Sequence, residues 1–288
     1  MKKWRVGISV KFDEDFDEKI SAVEKAGFDS VDFDLCRYWR ERDEEIELYK
    51  HLEKGLERIK NSNLFFNGVH ISFGKYWDFS AKNEAERLAA VAQAKEIFNR
   101  CDPYRPFCYV IHGSWEPISD EERPLKIEQL KKSLRQLRMY TTAKICLETL
   151  PRSCLANTGE ETAAIVDAVE GIDVCMDVNH LLMEKSEDAV LRLGKRIQTT
   201  HISDFDYVNE RHWMPGEGKI DWKKLIAAFE KVGYDGVWNY ELALACPKTI
   251  LRDRDFTYED FIRNAKELFE GKKLTVLGRQ KANLGMWE

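Results

Sequence analysis

The sequence predicts an α/β fold, a single (β/α)8 barrel that extends over the whole chain. Three observations support this prediction. Eight short apolar runs recur along the sequence, longer charged segments with helical periodicity separate them, and the length of 288 residues is close to the roughly 250 residues that such a barrel uses. A doubly wound open sheet is the alternative. It would normally carry a glycine-rich turn after the first strand, and the turn here, KFDEDFD, has no glycine.

The eight apolar runs are the predicted strands. They are rich in Val, Ile, Cys and aromatic residues, and several begin directly after Gly, Asp or Pro, as expected of strands that are buried on both faces. In chain order, the predicted strands are residues 4–10, 30–36, 67–72, 107–113, 143–150, 172–179, 197–204 and 236–243.

The segments between these runs are charged and place their apolar residues on one helical stripe. Gly27 and Gly233 each end a helix directly before a strand, and Asp221 is the predicted N-cap of the helix that Gly233 ends. The clearest helical segments are residues 42–63, 81–100, 120–140 and 221–233. Because no linker divides the chain, residues 1–288 are predicted to form one domain, in which residues 272–288 are a C-terminal tail without an assigned element.

Composition narrows the class of protein. The chain is 43% hydrophobic and 33% charged, which is typical of a soluble globular protein. No apolar stretch approaches the roughly 20 residues of a membrane span. The seven cysteines form no CxxC pair, and this predicts reduced thiols in a cytoplasmic protein. The net charge of −6 and the lack of clustered Lys and Arg argue against a nucleic-acid partner. A homo-oligomer is compatible with these features.

Histidines and carboxylates lie at or just beyond the ends of successive apolar runs. In a parallel barrel, functional groups lie at the C-terminal ends of the strands. The last four runs end in Glu148, Asp177, His201 and Glu241. A carboxylate in a buried strand is costly unless it is paired or bound to a metal. Three such acids and one imidazole could neutralise one divalent cation, and this donor set suits Mn²⁺, Mg²⁺, Co²⁺ or Zn²⁺.

Several of these positions fall in strings that resemble a known family. The strings ICLETLP, CMDVNHLL, THISD, WMPGEGKIDW and NYEL are similar to those of the sugar phosphate isomerase/epimerase group of xylose isomerase-like TIM barrels, a superfamily that also contains the apurinic endonucleases (AP endonuclease family 2). The resemblance covers most of the chain and is strongest over about residues 145–245. It implies a metal set of Glu148, Asp177, His201 and Glu241.

The resemblance also implies substrate-binding residues. It places His180 after the metal-binding Asp, and it places Arg211 and His212 in the loop ahead of GEGKIDW. The runs at 67–72 and 107–113 end near His70 and His112. In the endonuclease branch, histidines in those two places help to bind extra zinc ions, and the ERH string at 210–212 is similar to that branch's acid–x–His pair.

Two interpretations of the extra histidines therefore stay open. In the first interpretation, His70, His112 and His212 bind an additional metal ion. For a sugar enzyme we favour the other, in which these histidines hydrogen-bond substrate hydroxyls. Trp77, Trp115 and Trp213 lie in the predicted loops after strands 3, 4 and 7. Aromatic walls in these loops would suit the apolar face of a sugar, and Trp115 is expected to bind substrate in this way. Asp204 is expected to orient His201 or Lys219.

The predicted function is a divalent-metal-dependent isomerase or epimerase of a sugar or sugar phosphate. Such an enzyme moves a proton next to a carbonyl while the cation stabilises the enediolate. Glu148 and Glu241, across the barrel mouth from each other, are the predicted acid–base pair, and His180 and Arg211 are expected to hold substrate oxygens. A keto-polyol dehydratase that uses the same metal site is the main alternative. An apurinic-endonuclease-like metal phosphodiesterase and a barrel that only binds sugar are weaker ones.

Overall fold

The computed structural model describes residues 4–11, 15–35, 45–282 and 284–285, with backbone only at 45–48 and 50. Eight parallel strands form a closed barrel in sequence order, and the eighth strand is hydrogen-bonded to the first. This confirms the predicted (β/α)8 barrel. Residue 36 of the second predicted strand, residues 42–44 of the predicted helix 42–63 and residues 283 and 286–288 of the tail lie outside the described residues.

Each predicted run overlaps one barrel strand. The barrel strands are β1 (Arg5–Lys11), β2 (Ser30–Asp34), β3 (Phe65–His70), β4 (Cys108–Ile111), β5 (Lys144–Glu148), β6 (Ile172–Asp177), β7 (Ile197–His201) and β8 (Val237–Tyr240). Most predicted runs continue two or three residues beyond the observed strand. The reason is that the chain stays apolar and buried as it leaves the barrel, so hydrophobicity does not mark where hydrogen bonding to the next strand stops.

In the part of the chain that the structure describes, eight α-helices surround the barrel. They are α1 (Phe16–Ala26), α2 (Glu45–Lys60), α3 (Glu84–Cys101), α4 (Arg123–Arg138), α5 (Gly159–Asp167), α6 (Ser186–Leu193), α7 (Trp222–Val232) and α8 (Tyr258–Phe269). The predicted caps are confirmed. Gly27 and Gly233 adopt φ values of 92° and 72°, which favour glycine, and the Asp221 side chain accepts a hydrogen bond from the backbone N–H of Lys224. Within the described residues, no helix is both long enough and apolar enough for a membrane crossing.

A small antiparallel sheet lies outside the barrel and was not predicted. It pairs β9 (Ile250–Arg252) with β10 (Gly278–Gln280), so the part of the C-terminal tail in β10 folds back onto the segment after β8. Arg252 of β9 forms a buried ion pair with Glu217, with Nη2 2.6 Å from Oε2. The tail therefore packs against the loop between β7 and α7, which borders the mouth of the barrel.

Asp204 organises that loop from the inside. Its carboxylate accepts hydrogen bonds from the backbone N–H groups of Gly216 and Ile220 and from the indole N–H of Trp222. The expectation that Asp204 orients His201 or the Lys219 side chain is wrong. The carboxylate points toward the GEG turn, because buried backbone N–H groups there need an acceptor.

We expect Asp204→Ala to lower the free energy of unfolding by about 2–4 kcal/mol, because it leaves several buried donors without an acceptor. Urea denaturation would measure the change. Asp221→Ala is the matched control, since it removes one exposed N-cap and should cost only about 1 kcal/mol. Equal losses in the two variants would contradict the structural role of Asp204.

Candidate active site

Polar side chains from several strands meet at the C-terminal end of the barrel, in an open pocket of about 680 Å³. The pocket reaches from the strand ends to the surrounding loops. Lys11 and Asp34, at the ends of β1 and β2, line it. Six further titratable residues of the lining are His70, His112, Glu148, His180, His212 and Glu241. All six were predicted site residues, so the closed barrel does bring these residues together.

Four side chains at the ends of β5 to β8 form a compact group, of which Glu148 and Glu241 line the pocket while Asp177 and His201 are fully buried. Glu148, Asp177, His201 and Glu241 each offer one donor atom, and the four atoms lie within 4.8 Å of one another. Asp177 and His201 are register partners at the ends of β6 and β7. The His201 Nδ1 atom is 3.1 Å from Glu148 Oε1 and 3.3 Å from Glu241 Oε2. We call these four residues the central group.

The central group has the burial and the donor chemistry of a metal site. Glu148, Asp177 and His201 are buried, and the Glu241 side chain is 19% exposed toward the pocket. The Asp177 Oδ2 atom has no hydrogen-bond partner among the described residues. Buried carboxylates without full compensation are costly, and a divalent cation would compensate them. The residues therefore fit the divalent ion that the sequence predicts.

Electrostatics lead to the same conclusion. Burial alone would lower the pKa of His70, but the charges of Glu148 and Glu241 outweigh it and raise the pKa to about 9. Burial is likewise outweighed at His180, where Asp177 and Glu210 raise the pKa to about 10. The negative potential that holds protons on these imidazoles would also attract a metal cation, and binding of that cation would release protons.

His70 and His112 both lie against Glu148. Their Nε2 atoms are 2.9 Å and 3.1 Å from the same oxygen, Glu148 Oε2, and these three residues form a second group that could hold an ion. Burial lowers the pKa of His112, so this imidazole is neutral and can donate a hydrogen bond to the carboxylate. The two histidines thus fix the orientation of Glu148.

The additional-metal hypothesis placed His212 with His70 and His112, but the structure does not bring these three side chains into one group. It forms a third group with His180 and Glu210, and the His180 Nε2 atom is 3.0 Å from Glu210 Oε2. His212 has a φ of 50°, which is unusual for a residue other than glycine. Its backbone N–H donates to Asn179 Oδ1, which helps to hold the imidazole at the pocket.

Arg211, a predicted substrate-binding residue, does not line the pocket. Its guanidinium is buried and paired with Asp206, at 2.9 Å, and it also donates to the carbonyl oxygen of Gly285 in the tail. We therefore correct its role to that of a link between the loop and the tail. The basic residues that line the pocket include Lys11, Lys19 and Arg152. The Arg152 guanidinium contacts Glu116 and Glu210.

The aromatic residues of the loops separate into two classes. Trp115 lines the pocket and is 42% exposed, as expected for a sugar contact. Trp77 and Trp213 are buried in the protein interior and cannot form a wall of the pocket. Phe73 also lines the pocket beside Trp115. Phe73 was not a predicted site residue, because a lone phenylalanine in a loop carries no distinctive sequence signal.

Comparisons with known proteins agree with this architecture. A family model described as a xylose isomerase-like TIM barrel matches residues 20–260. Among similar solved structures, D-psicose 3-epimerase with D-tagatose from Clostridium cellulolyticum H10 has 18% identity and a TM-score of 0.69, over 92% of this chain and 94% of that chain. A D-tagatose 3-epimerase-like protein has 18% identity and a TM-score of 0.73, over 92% and 97%.

A further similar structure is the apo form of 3-keto-D-glucoside 4-epimerase from E. coli. It has 20% identity and a TM-score of 0.70, over 92% of this chain and 99% of that chain. At these levels of identity, the likeness shows a shared fold.

Proposed function

The chain belongs to the family of xylose isomerase-like TIM barrels, and from this premise we propose that it is a divalent-metal-dependent epimerase or isomerase of a keto-sugar. The observation that carries the proposal is the central group, in which three carboxylates and one imidazole meet at the base of an open pocket. The sugar epimerases among the similar structures support the same substrate class.

The chain's own residues can move the proton. When bound, the cation would stabilise the negative charge that develops on the carbonyl oxygen as the neighbouring carbon loses its proton. Burial would raise the pKa of Glu241, but the charge of His201 and its hydrogen bond outweigh burial and lower the pKa. Glu241 is therefore ionised and, because it faces the pocket, can accept a proton. Glu148, buried and oriented by His70 and His112, is the proposed partner that returns it.

The remaining polar groups of the pocket would bind the substrate. His180 and His212 line the pocket beside Glu241, and His112 lines it beside Glu148. Their ring nitrogens can hydrogen-bond sugar hydroxyls. Trp115, which is reached from His112 across the Phe73 ring, offers an apolar face for a more distant part of the substrate. Arg211 is not part of this proposal, since its guanidinium is already engaged by Asp206 and the tail.

Deuterium exchange tests the proposal directly. The Mn²⁺-loaded protein would be incubated in D₂O with ketoses and 3-keto-glucosides, and recovered sugars would be examined by NMR and mass spectrometry. We expect one deuterium at the carbon next to the carbonyl, because the proton taken by a carboxylate exchanges with solvent. Exchange accompanied by loss of water would indicate the keto-polyol dehydratase instead. No exchange with any of these sugars would refute proton transfer.

One observation favours a second candidate function. Besides the central group, the described residues form further groups that could hold an ion, among them His180–Glu210–His212 and His70–His112–Glu148, which shares Glu148 with the central group. Such an array could hold several ions, as in metal-dependent phosphodiesterases. Arg152 already neutralises Glu210, at 2.7 Å, which weakens the third group as a cation site. Hydrolysis of bis(p-nitrophenyl) phosphate by protein that holds more than one ion per chain would favour this function.

A further inference from the structure

We infer that the pocket binds a second ring beside the keto-sugar, so that the substrate is a glycosylated keto-sugar and not a monosaccharide. The inference rests on the proposed function and names its substrate class. The second ring would lie on Phe73 and Trp115, which we call the aromatic step. Four features of the pocket support this: the direction, exposure and surroundings of the step, and the size of the pocket.

The aromatic step extends outward from the central group. The His112 Nε2 atom is 3.1 Å from Glu148 Oε2. The Phe73 ring stacks on the His112 ring, with centroids 4.4 Å apart and an interplanar angle of 15°. The Trp115 ring continues the row at 6.4 Å from Phe73 and 27°. A ring that lies on the step is therefore next to a sugar that reacts at Glu148 and Glu241.

The step is exposed although the same loops bury other aromatic side chains. Phe73 is 39% exposed and Trp115 is 42% exposed, whereas Trp77, a few residues after Phe73, is 2% exposed. Aromatic faces that are left open inside a pocket mark a binding surface. A sugar ring presents a face of C–H groups that would cover such rings, and the buried aromatic area would contribute to affinity.

The pocket is larger than one sugar needs. Its volume of about 680 Å³ lies within the roughly 300–1,000 Å³ of sites for drug-sized ligands, and a single keto-sugar is much smaller than such a ligand. Beyond the central group, the rest of this volume is bounded on one side by the step and on another by the apolar segment 242–245.

Charges near the step favour a neutral second ring over a phosphate. Lys11, Lys19 and Arg152 line the pocket. The Arg152 guanidinium contacts both Glu116, at 2.6 Å, and Glu210, at 2.7 Å. A guanidinium that two carboxylates already engage is less available to bind a phosphate. The same carboxylates and guanidinium can hydrogen-bond the hydroxyl groups of a second sugar.

Two matched pairs of substrates test the inference with the metal-loaded protein. D-Fructose is compared with isomaltulose, and methyl 3-keto-β-D-glucoside is compared with 3-ketocellobiose. In each pair both members contain the same keto-sugar unit, and only the two-ring member carries a second ring that can reach the step. In the pair that is turned over, we expect kcat/KM to be about tenfold or more higher for the two-ring member. A ratio near one in the wild type would overturn the inference.

Variants of the step give the second readout. Phe73→Ala and Trp115→Ala should each lower the ratio of the two kcat/KM values by about tenfold, and Tyr76→Ala should not change it. Tyr76 is the matched control, since it is 66% exposed on the same loop and is not among the pocket-lining residues. A ratio that none of these substitutions changes would also refute the second-ring site.

A binding measurement separates this inference from the proposed function. In saturation-transfer NMR with 3-ketocellobiose, protons of the second ring should receive saturation from the wild type and lose it in Trp115→Ala. If both pairs fail to react, the proposed function fails, while second-ring saturation still supports the site. If the keto ring alone receives saturation, the inference is wrong even when the sugar is turned over.

Discussion

Glu241→Gln is expected to lower kcat/KM by about 10³-fold or more, because it removes both a proton acceptor and one carboxylate of the central group. Glutamine has nearly the same size and shape, and only one side of Glu241 faces the pocket. The fold should therefore be retained, with an unchanged circular dichroism spectrum. The rate of deuterium exchange into the keto-sugar measures the loss most directly.

Metal content distinguishes the two ways in which this variant can lose activity. If the ion is retained and exchange is lost, Glu241 moves the proton; if the ion is lost too, the carboxylate is needed to hold it. Glu160→Gln is the matched control, since Glu160 is exposed on α5 and its substitution removes the same charge far from the central group. Activity of Glu241→Gln within tenfold of the control would refute the assigned role.

The barrel could be predicted because its pattern repeats. Each unit has a short buried run followed by an amphipathic segment, and together they leave few alternatives for the sheet. The strands β9 and β10 could not be predicted in the same way. Each has three residues and burial that does not alternate, as in Ile250–Arg252, so neither periodicity nor composition marks them. Each pairs with a segment that is remote in sequence, since Ile250–Arg252 is hydrogen-bonded to Gly278–Gln280.

The central group could be predicted for a related reason. Glu148, Asp177 and His201 are the last residues of consecutive strands, and Glu241 directly follows the next one. In a closed barrel, strand ends form a ring, so four positions along the sequence become four neighbours in space. Sequence order and closure are sufficient for this conclusion, and no loop conformation has to be known.

Residues in long loops could not be placed in this way. Arg211 and His212 are adjacent in the chain, yet His212 reaches the pocket and Arg211 is buried against Asp206. The backbone at His212 is left-handed, and at this point the two neighbouring side chains take different directions, with His212 toward the pocket and Arg211 toward Asp206. Phe73 is a similar case, since its orientation is set by stacking on His112 and not by its own sequence context. Which loop residues reach the site therefore depends on the backbone conformation of the loops, and the sequence pattern does not predict that conformation.

The electrostatic design explains why a metal should matter for both chemistry and stability. Burial raises the pKa of Asp177, and this carboxylate lies with Glu148 and Glu241 inside the barrel mouth. Without a cation, protonated His70, His180 and His201 supply the compensating charge, since the pKa of each is raised. A divalent ion would replace protons by a charge that is fixed at one point.

Removal of the metal is expected to abolish exchange and to lower the melting temperature by roughly 5–10 °C. An ion at about 100 times its dissociation constant stabilises the folded state by about 2.7 kcal/mol, and each kcal/mol corresponds to about 2–4 °C in a protein of this size class. Differential scanning fluorimetry before and after dialysis against EDTA would measure the shift, and elemental analysis would give the number of ions. We expect one retained ion per chain, because the central group alone combines three carboxylates.

Refilling the protein identifies the ion and tests where it binds. Mn²⁺, Mg²⁺, Co²⁺ and Zn²⁺ would be added separately to the dialysed protein, and the melting temperature and the exchange rate should recover together. In Asp177→Asn, the shift caused by metal should be much smaller, because one of the three carboxylates is neutralised. His212→Asn is the matched comparison, since His212 belongs to the third group only, and it should keep the full shift. If Asp177→Asn retained the full shift and His212→Asn lost it, the ion would bind to the third group and the proposed chemistry at Glu148 and Glu241 would have no cation beside it.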